Sequence, residues 1–154
     1  MNPSNTIKLK RTNNNNPDFL SLIKLLDADL ALRDGDLSPI YFKHNQLQPL
    51  DTVVLAYINH TPVGCGCFKA FDATSVEIKR MFVNPGERGK GIATIILKEL
   101  ETWAAEQGYT NAVLETGKKN PEAVAMYKKQ GYTIINNYYP YINMPTSICF
   151  SKRL

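Results

Sequence analysis

From Thr6 to Thr12 apolar and polar residues alternate, Ile7 and Leu9 against Lys8 and Lys10, which predicts a strand with one wet face. Asn13 to Asn16 form a turn. Phe19, Leu22, Ile23, Leu26 and Leu30 then recur at helical spacing, with Asn16 as cap, Pro17 at the first helical position and Gly35 as the stop. Leu37 to Leu50, bracketed by Pro39 and Pro49, supports only a short helix or a loop. Three strands follow: Thr52 to Ile58, Val63 to Phe71 and Ser75 to Val83. Turns at Asn59 to Pro62 and Asp72 to Thr74 join them into an antiparallel meander. Ile92, Ile95, Ile96, Leu100, Trp103 and Ala104 fall on one helical face that ends at Gly108. Asn111 to Thr116 is a strand, and strand–helix–strand predicts a right-handed crossover with a parallel pair. Asn120 and Pro121 open a shorter helix that Gly131 closes, and Tyr132 to Ile135 and Thr146 to Lys152 are the last strands. The order is β-α-(α)-β-β-β-α-β-α-β-β: a single α/β domain over residues 1–154 with a mixed sheet, without internal repeats or linkers.

The chain has 154 residues, 44% hydrophobic and 21% charged, enough for a core that needs no disulfide or structural metal. It contains no apolar run near the roughly 18–20 residues that span a bilayer, and Met1 to Asn5 lack the apolar centre of a signal peptide. A cytoplasmic protein that does not engage membranes is expected. The net charge of +4 is spread along the chain, which suits a small polyanion better than nucleic acid. Cys65 and Cys67 lie two apart in a strand and so share a face. A closed zinc site needs four ligands, and neither a second cysteine pair nor a histidine pair accompanies them, so buried thiols and no metal are expected. His44 and His60 are isolated and receive no role.

One segment carries chemistry. In Ser75 to Ala93, SVEIKRMFVNPGERGKGIA, a strand runs through a glycine-rich turn into a helix. Gly89, Gly91 and Ala93 keep side chains off the helix entrance, whose unpaired N–H groups and dipole favour an anion such as a pyrophosphate. Arg88 and Lys90 add positive charge there. The nucleotide-binding pattern G-x-x-x-x-G-K-[ST] is absent, since Gly86 to Gly91 is followed by Ile92, and G-x-G-x-x-G is absent too. By itself the turn fits either an anion site or a tight connection without a ligand.

The segment Arg88-Gly89-Lys90-Gly91-Ile92-Ala93 is similar to the R/Q-x-x-G-x-G/A signature of the GNAT superfamily of N-acetyltransferases. Glu77 to Val83 resembles that family's fourth strand, and Asn120 to Tyr132 matches its N-x-x-A-x-x-x-Y-x-x-x-G-[FY] block. The resemblance covers roughly Val53 to Lys152. It implies a GNAT-like fold: a mostly antiparallel sheet of about seven strands whose central strands splay apart. It implies acetyl-CoA as co-substrate, with main-chain groups of the Met81-Phe82-Val83 stretch on the acetyl and pantetheine groups and the N–H groups from Arg88 through Gly89, Lys90, Gly91 and Ile92 to Ala93 on the pyrophosphate. Asn120 contacts the pantetheine region or only caps its helix. Tyr127 matches the family's tyrosine acid for the leaving thiolate, against the plainer reading of a core tyrosine. Glu77 occupies the place of a general base, or orients substrate while a water chain removes the proton. Glu115 binds the substrate's ammonium or caps a turn.

Family members place the acceptor between the first helices and the loop before the last strand. Here the first region is acidic, including Asp27, and the second is rich in tyrosine, including Tyr139 and Tyr141. Aromatic faces and carboxylates attract cations, so these regions suit a positively charged amine, or else are a solvated helix end and a packed or dimer-forming loop. The expected function is transfer of an acetyl group from acetyl-CoA to the primary amine of a small molecule, an amino acid or a polyamine for example, by direct attack in a ternary complex. The alternatives are a peptide N-acetyltransferase, a catalytically silent acetyl-CoA sensor or scaffold, and an interaction domain that has lost the donor. A monomer or a homodimer is compatible with the chain.

Overall fold

The computed structural model describes residues 6–34 and 49–154, with the backbone alone for 30–34. The packing expected of Leu30, the helix stop at Gly35 and the element expected from Leu37 onward, like the role of His44, lie outside the described residues. Among the described residues, seven strands and three α-helices follow in the order β1 (Ile7–Thr12), α1 (Pro17–Asp34), β2 (Val53–Ile58), β3 (Thr61–Ala70), β4 (Ser75–Val83), α2 (Ile92–Glu106), β5 (Asn111–Gly117), α3 (Pro121–Lys129), β6 (Thr133–Ile135) and β7 (Ser147–Arg153). The strands form one sheet in the order β1-β2-β3-β4-β5-β7-β6. β4 and β5 run parallel, and all other neighbours are antiparallel.

Local chemistry explains the boundaries. Asn16 Oδ1 accepts from the N–H of Asp18 at 2.8 Å, which caps α1, with Pro17 beside it where a missing N–H costs nothing. The β2–β3 turn is shorter than expected. Asn59 and His60 both have positive φ, 52° and 68°, the two-residue turn whose twist matches a hairpin. Thr61 and Pro62 therefore belong to β3, and a register shift opposite Pro62, between Ala56 and Tyr57, accommodates the residue that cannot donate to the ladder.

Alternation along the strands sorts side chains onto two faces. α1 covers one of them, setting Phe19, Leu22, Ile23 and Leu26 on Val53, Leu55, Cys65, Cys67 and Phe82. Cys65 and Cys67 are buried there as expected, and burial pushes the Cys67 thiol up to about 12. α2 and α3 cover the other face, over Val54, Ala56, Phe68, Val76, Ile78 and Leu114. Ile92, Ile96, Leu97, Leu100 and Ala104 are the buried residues of α2. At about 100° per residue they span an arc of about 140°, and Ile95, about 60° outside it, is exposed. The helix lies close to β3 because Gly66 has no side chain: a Cβ there would stand 2.5 Å from Met81 Sδ and 2.9 Å from Leu100 Cδ1.

The centre of the sheet is open. β4 and β5 pair only from Ser75 to Ile78 against Asn111 to Leu114, then diverge, while β5 stays paired with β7 to Gly117. Among the described residues no helix is long and apolar enough to cross a membrane.

Candidate active site

The divergence of β4 and β5 opens a cavity of about 530 Å³. Its walls are the second half of β4, the end of β5, the start of α2 and one side of α3, and it reaches both faces of the sheet.

The wall formed by β4 is irregular at one point. Cys67 pairs with Lys79 and Cys65 with Phe82, so Arg80 and Met81 together oppose Gly66. This is a β-bulge, and Arg80 has φ 59°. The bulge reverses which main-chain groups face the cavity. Before it, the carbonyl of Ser75 points toward β3, accepting from Phe71, while that of Thr74 points toward β5, accepting from Thr110. After it, Asn84 donates to Val63 on β3. Odd-numbered residues thus face β3 before the bulge and even-numbered ones after it. The N–H groups of Met81 and Val83 consequently turn toward the side where β5 has moved away.

The mouth of the cavity is the N-terminus of α2. Pro85–Glu87 make a short 3₁₀ turn, and Gly89 and Gly91 follow with φ of 84° and 79°, values that favour glycine. Gly91 caps α2, and its place in the cap leaves the first N–H groups without a side-chain acceptor. Arg88 is anchored rather than free: its Nε donates to the carbonyl of Val83 at 3.0 Å, its guanidinium lies over Phe82, and Nη2 is 3.7 Å from Asp29. Lys90 pairs with Glu87 at 2.5 Å. Lys119, which no motif in the sequence singles out, lines the cavity from the α3 side.

On that side stands Tyr127, which is 5% exposed and packed against the rings of Tyr132 and Phe150. Burial, and then the charge of Glu115, push its phenol above the ordinary tyrosine value, so the hydroxyl keeps its proton throughout the neutral range. Asn120 lines the cavity and also accepts from the N–H of Ala123 at 3.3 Å, so the helix cap and the cavity wall are the same side chain.

The opposite face carries the carboxylates. Glu77 pairs in register with Val113, and Glu115 follows two residues on, so both project to the face that α1 shares. Glu77 is 5% exposed; it accepts from Tyr138 Oη at 2.9 Å and has Lys69 Nζ at 3.7 Å and Lys79 Nζ at 4.0 Å. Burial, the largest influence on it, pulls Lys79 below the ordinary lysine value. Glu115 accepts from Ser147 Oγ at 2.7 Å. The loop between β6 and β7 closes over this face: Tyr138 stacks edge-on with Phe71 and Tyr141, and the buried Tyr141 reaches the cavity wall.

The cavity therefore gathers Glu77, Met81, Phe82, Val83, Arg88, Gly89, Gly91, Ile92, Ala93, Glu115, Asn120, Tyr127 and Tyr141 of the residues expected from sequence. Three lie elsewhere. Lys90 stands outside the lining, Tyr139 is 77% exposed, and the carboxylate of Asp27 is 2.7 Å from Arg80 Nη1. Tyr138, Ser147 and Arg80 were missed. Tyr138 and Ser147 are far in sequence from the carboxylates they touch, and the bulge at Arg80 has no sequence signature.

Residues 19–132 match the sequence profile of the acetyltransferase (GNAT) family. An IAA acetyltransferase of Azospirillum brasilense is 35% identical over 144 residues, which cover 88% of this chain and 90% of that one. A Klebsiella pneumoniae structure, described as a candidate acyl-CoA N-acyltransferase, superposes with a TM-score of 0.76 over 97% of both chains at 27% identity. A GNAT family acetyltransferase from Elizabethkingia anophelis, solved with acetyl-CoA bound, shares the fold at a TM-score of 0.68 and 22% identity, over 96% of this chain and 98% of that one.

Proposed function

On the premise that the chain belongs to the acetyltransferase (GNAT) family of acetyl-CoA-dependent N-acetyltransferases, we propose that its cavity takes up acetyl-CoA and that the acetyl group passes to the primary amine of a small molecule. The observation that carries the donor half is the α2 entrance, where two left-handed glycines leave the first N–H groups of the helix open at the mouth of the gap. A Cβ built on Gly89 or Gly91 meets nothing within 4 Å, so the loop stands clear of neighbours on the side a phosphate approaches.

Acetyl-CoA supplies a thioester, whose carbonyl carbon is the electrophile. Glu77, directly or through water, takes the proton that an ammonium must lose before its nitrogen can attack. The N–H of Met81 faces the gap, where it donates to an oxygen that gains negative charge as the C–N bond forms. Tyr127 holds its proton and gives it to the sulfur as the C–S bond breaks, and the second proton, which the new amide nitrogen sheds, restores the phenol. The two carboxylates on the face opposite Tyr127 support a cationic amine as acceptor. The closing of that face by Tyr138 and Tyr141 supports a small one.

The test is a thermal-shift titration with acetyl-CoA, followed by release of free thiol across a panel of amino acids, polyamines, aminoglycosides and short peptides. A stabilised protein that releases thiol with small amines is expected. Thiol release with peptides alone would overturn the acceptor class, and stabilisation without turnover on any amine would make the chain a silent binder.

A further inference from the structure

Arg80 breaks a local rule in the middle of the sheet. Asn59 and His60, the other non-glycine residues with positive φ among those described, sit in a hairpin turn that requires it, whereas Arg80 sits within β4 at φ 59°. Bulges of this kind favour glycine at that position, and a side chain there is disfavoured by steric contact with the following carbonyl. The side chain also leaves Nε buried with no hydrogen-bond partner. Both penalties persist only where something over-determines the conformation.

The determinant is on α1. Arg80 Nη1 is 2.7 Å from Asp27 Oδ1, with 4% of the arginine side chain exposed, and the Arg80 carbonyl accepts from Cys65 Sγ at 3.4 Å. We propose that Asp27 and Arg80 are positioning residues for acetyl transfer: their ion pair holds the bulge that turns the Met81 N–H into the gap. The odd-to-even reversal along β4 depends on one extra residue between Lys79 and Phe82, and Arg80 is the residue in the conformation that supplies it. Loss of the pair leaves the strand free to relax by rotating that peptide group, which takes the N–H off its target without emptying the cavity. The pair also ties α1 to the reacting end of β4, so Asp27 acts on the chemistry through the backbone and not by touching an acceptor.

This rests on the reading of the cavity as an acetyl-CoA site, and the experiment separates the two. Acetyl-CoA and CoA differ by the acetyl group, whose carbonyl the Met81 N–H would meet, so the change in their relative affinity between variants reports the aim of that N–H. Calorimetric titration of both ligands is compared between the unaltered protein and Asp27→Asn, Arg80→Ala and Arg80→Gly. Arg80→Gly is the decisive control, because glycine holds the left-handed conformation without strain and so keeps the bulge once the side chain is gone, whereas alanine does not. The expected result is an acetyl-CoA affinity about 3- to 10-fold weaker in Asp27→Asn and Arg80→Ala, the size of one hydrogen bond, with CoA affinity unchanged, and both affinities kept in Arg80→Gly. The carbonyl signal of ¹³C-labelled acetyl-CoA is expected to lose its bound-state shift in Asp27→Asn and Arg80→Ala and to keep it in Arg80→Gly. Equal weakening of both ligands, no change in folded Asp27→Asn and Arg80→Ala, or the same selective loss in Arg80→Gly overturns the proposal. If the unaltered protein binds neither ligand, the donor reading itself falls and takes this one with it.

Discussion

Tyr138 Oη donates to Glu77 Oε2 at 2.9 Å, joining the loop between β6 and β7 to the carboxylate on the central strand. The bond spans 61 positions of sequence and fixes one oxygen of Glu77, while Lys69 and Lys79 flank the other. Glu77 is thus held from three elements at the point where β4 and β5 begin to part.

Tyr138→Phe deletes that bond and leaves the ring stack with Phe71 and Tyr141. Hydrogen bonds to charged groups contribute about 1.5–3 kcal/mol, so a KM for the amine raised at least several-fold is expected, with acetyl-CoA affinity unchanged. Steady-state kinetics with calorimetry on the donor decide it. A matching loss of donor affinity would place Tyr138 in general support of the cavity instead.

Glu77→Gln keeps the size of the side chain and its contact with Tyr138 but cannot take a proton. A drop in kcat of about 10²–10⁴ is expected if Glu77 is the base. Turnover within a few-fold of the original would assign the proton to a water chain and leave Glu77 an orienting group.

Tyr127→Phe is expected to bind acetyl-CoA normally and to turn over about 10²-fold more slowly. The sign of the pH effect follows from its environment. Its phenol is raised above 10, so ionisation of Tyr127 removes no activity below that pH. Stability behaves likewise: a tyrosine raised by folding contributes fully below the unfolded value near 10, and that contribution is lost as the pH climbs through the folded value. Tyr57, pushed up to about 12 by burial and by Asp18, is of this kind. Melting temperatures measured from pH 8 to 11 are expected to hold until about 10 and then fall. A fall that begins at pH 8 would rule out these tyrosines as its cause.

Two glycine variants separate space from conformation. Gly66→Ala forces a Cβ against Met81 and Leu100 and is expected to destabilise by about 1–3 kcal/mol through overpacking. Gly91→Ala meets open space but must adopt φ 79°, about 1–2 kcal/mol of strain, and it alters the N–H groups at the α2 entrance. Gly91→Ala is therefore expected to weaken acetyl-CoA binding out of proportion to its melting temperature. Gly66→Ala lowers the melting temperature first, and denaturant melts beside calorimetry show the difference.

Much of this was legible in the sequence, for physical reasons. Two-residue alternation marks β1 because one face is wet, and the Asn-Pro pairs at Asn16 and Asn120 mark helix starts because cap and first position have distinct chemical needs. The glycine-rich entrance of α2 is legible because positive φ selects glycine. What was hidden depends on long-range contact. Glu77-Ile78-Lys79-Arg80-Met81-Phe82-Val83 reads as an unbroken strand, and nothing in it announces the extra residue at Arg80. Asp27 reads as an acidic helix end until Arg80 is found beside it. Ile95 looked like core because periodicity gives the width of a buried face only loosely.

The four-residue seam between β4 and β5 divides the sheet into a block of four strands and a block of three. Past Ile78 and Leu114 the rungs between the blocks are missing, and a guest with amide groups of its own can supply them. Loading the donor then resembles the final step of folding. A donor seated there would knit the two blocks together, and the sheet would become harder to melt in proportion to the logarithm of donor concentration once that exceeds Kd.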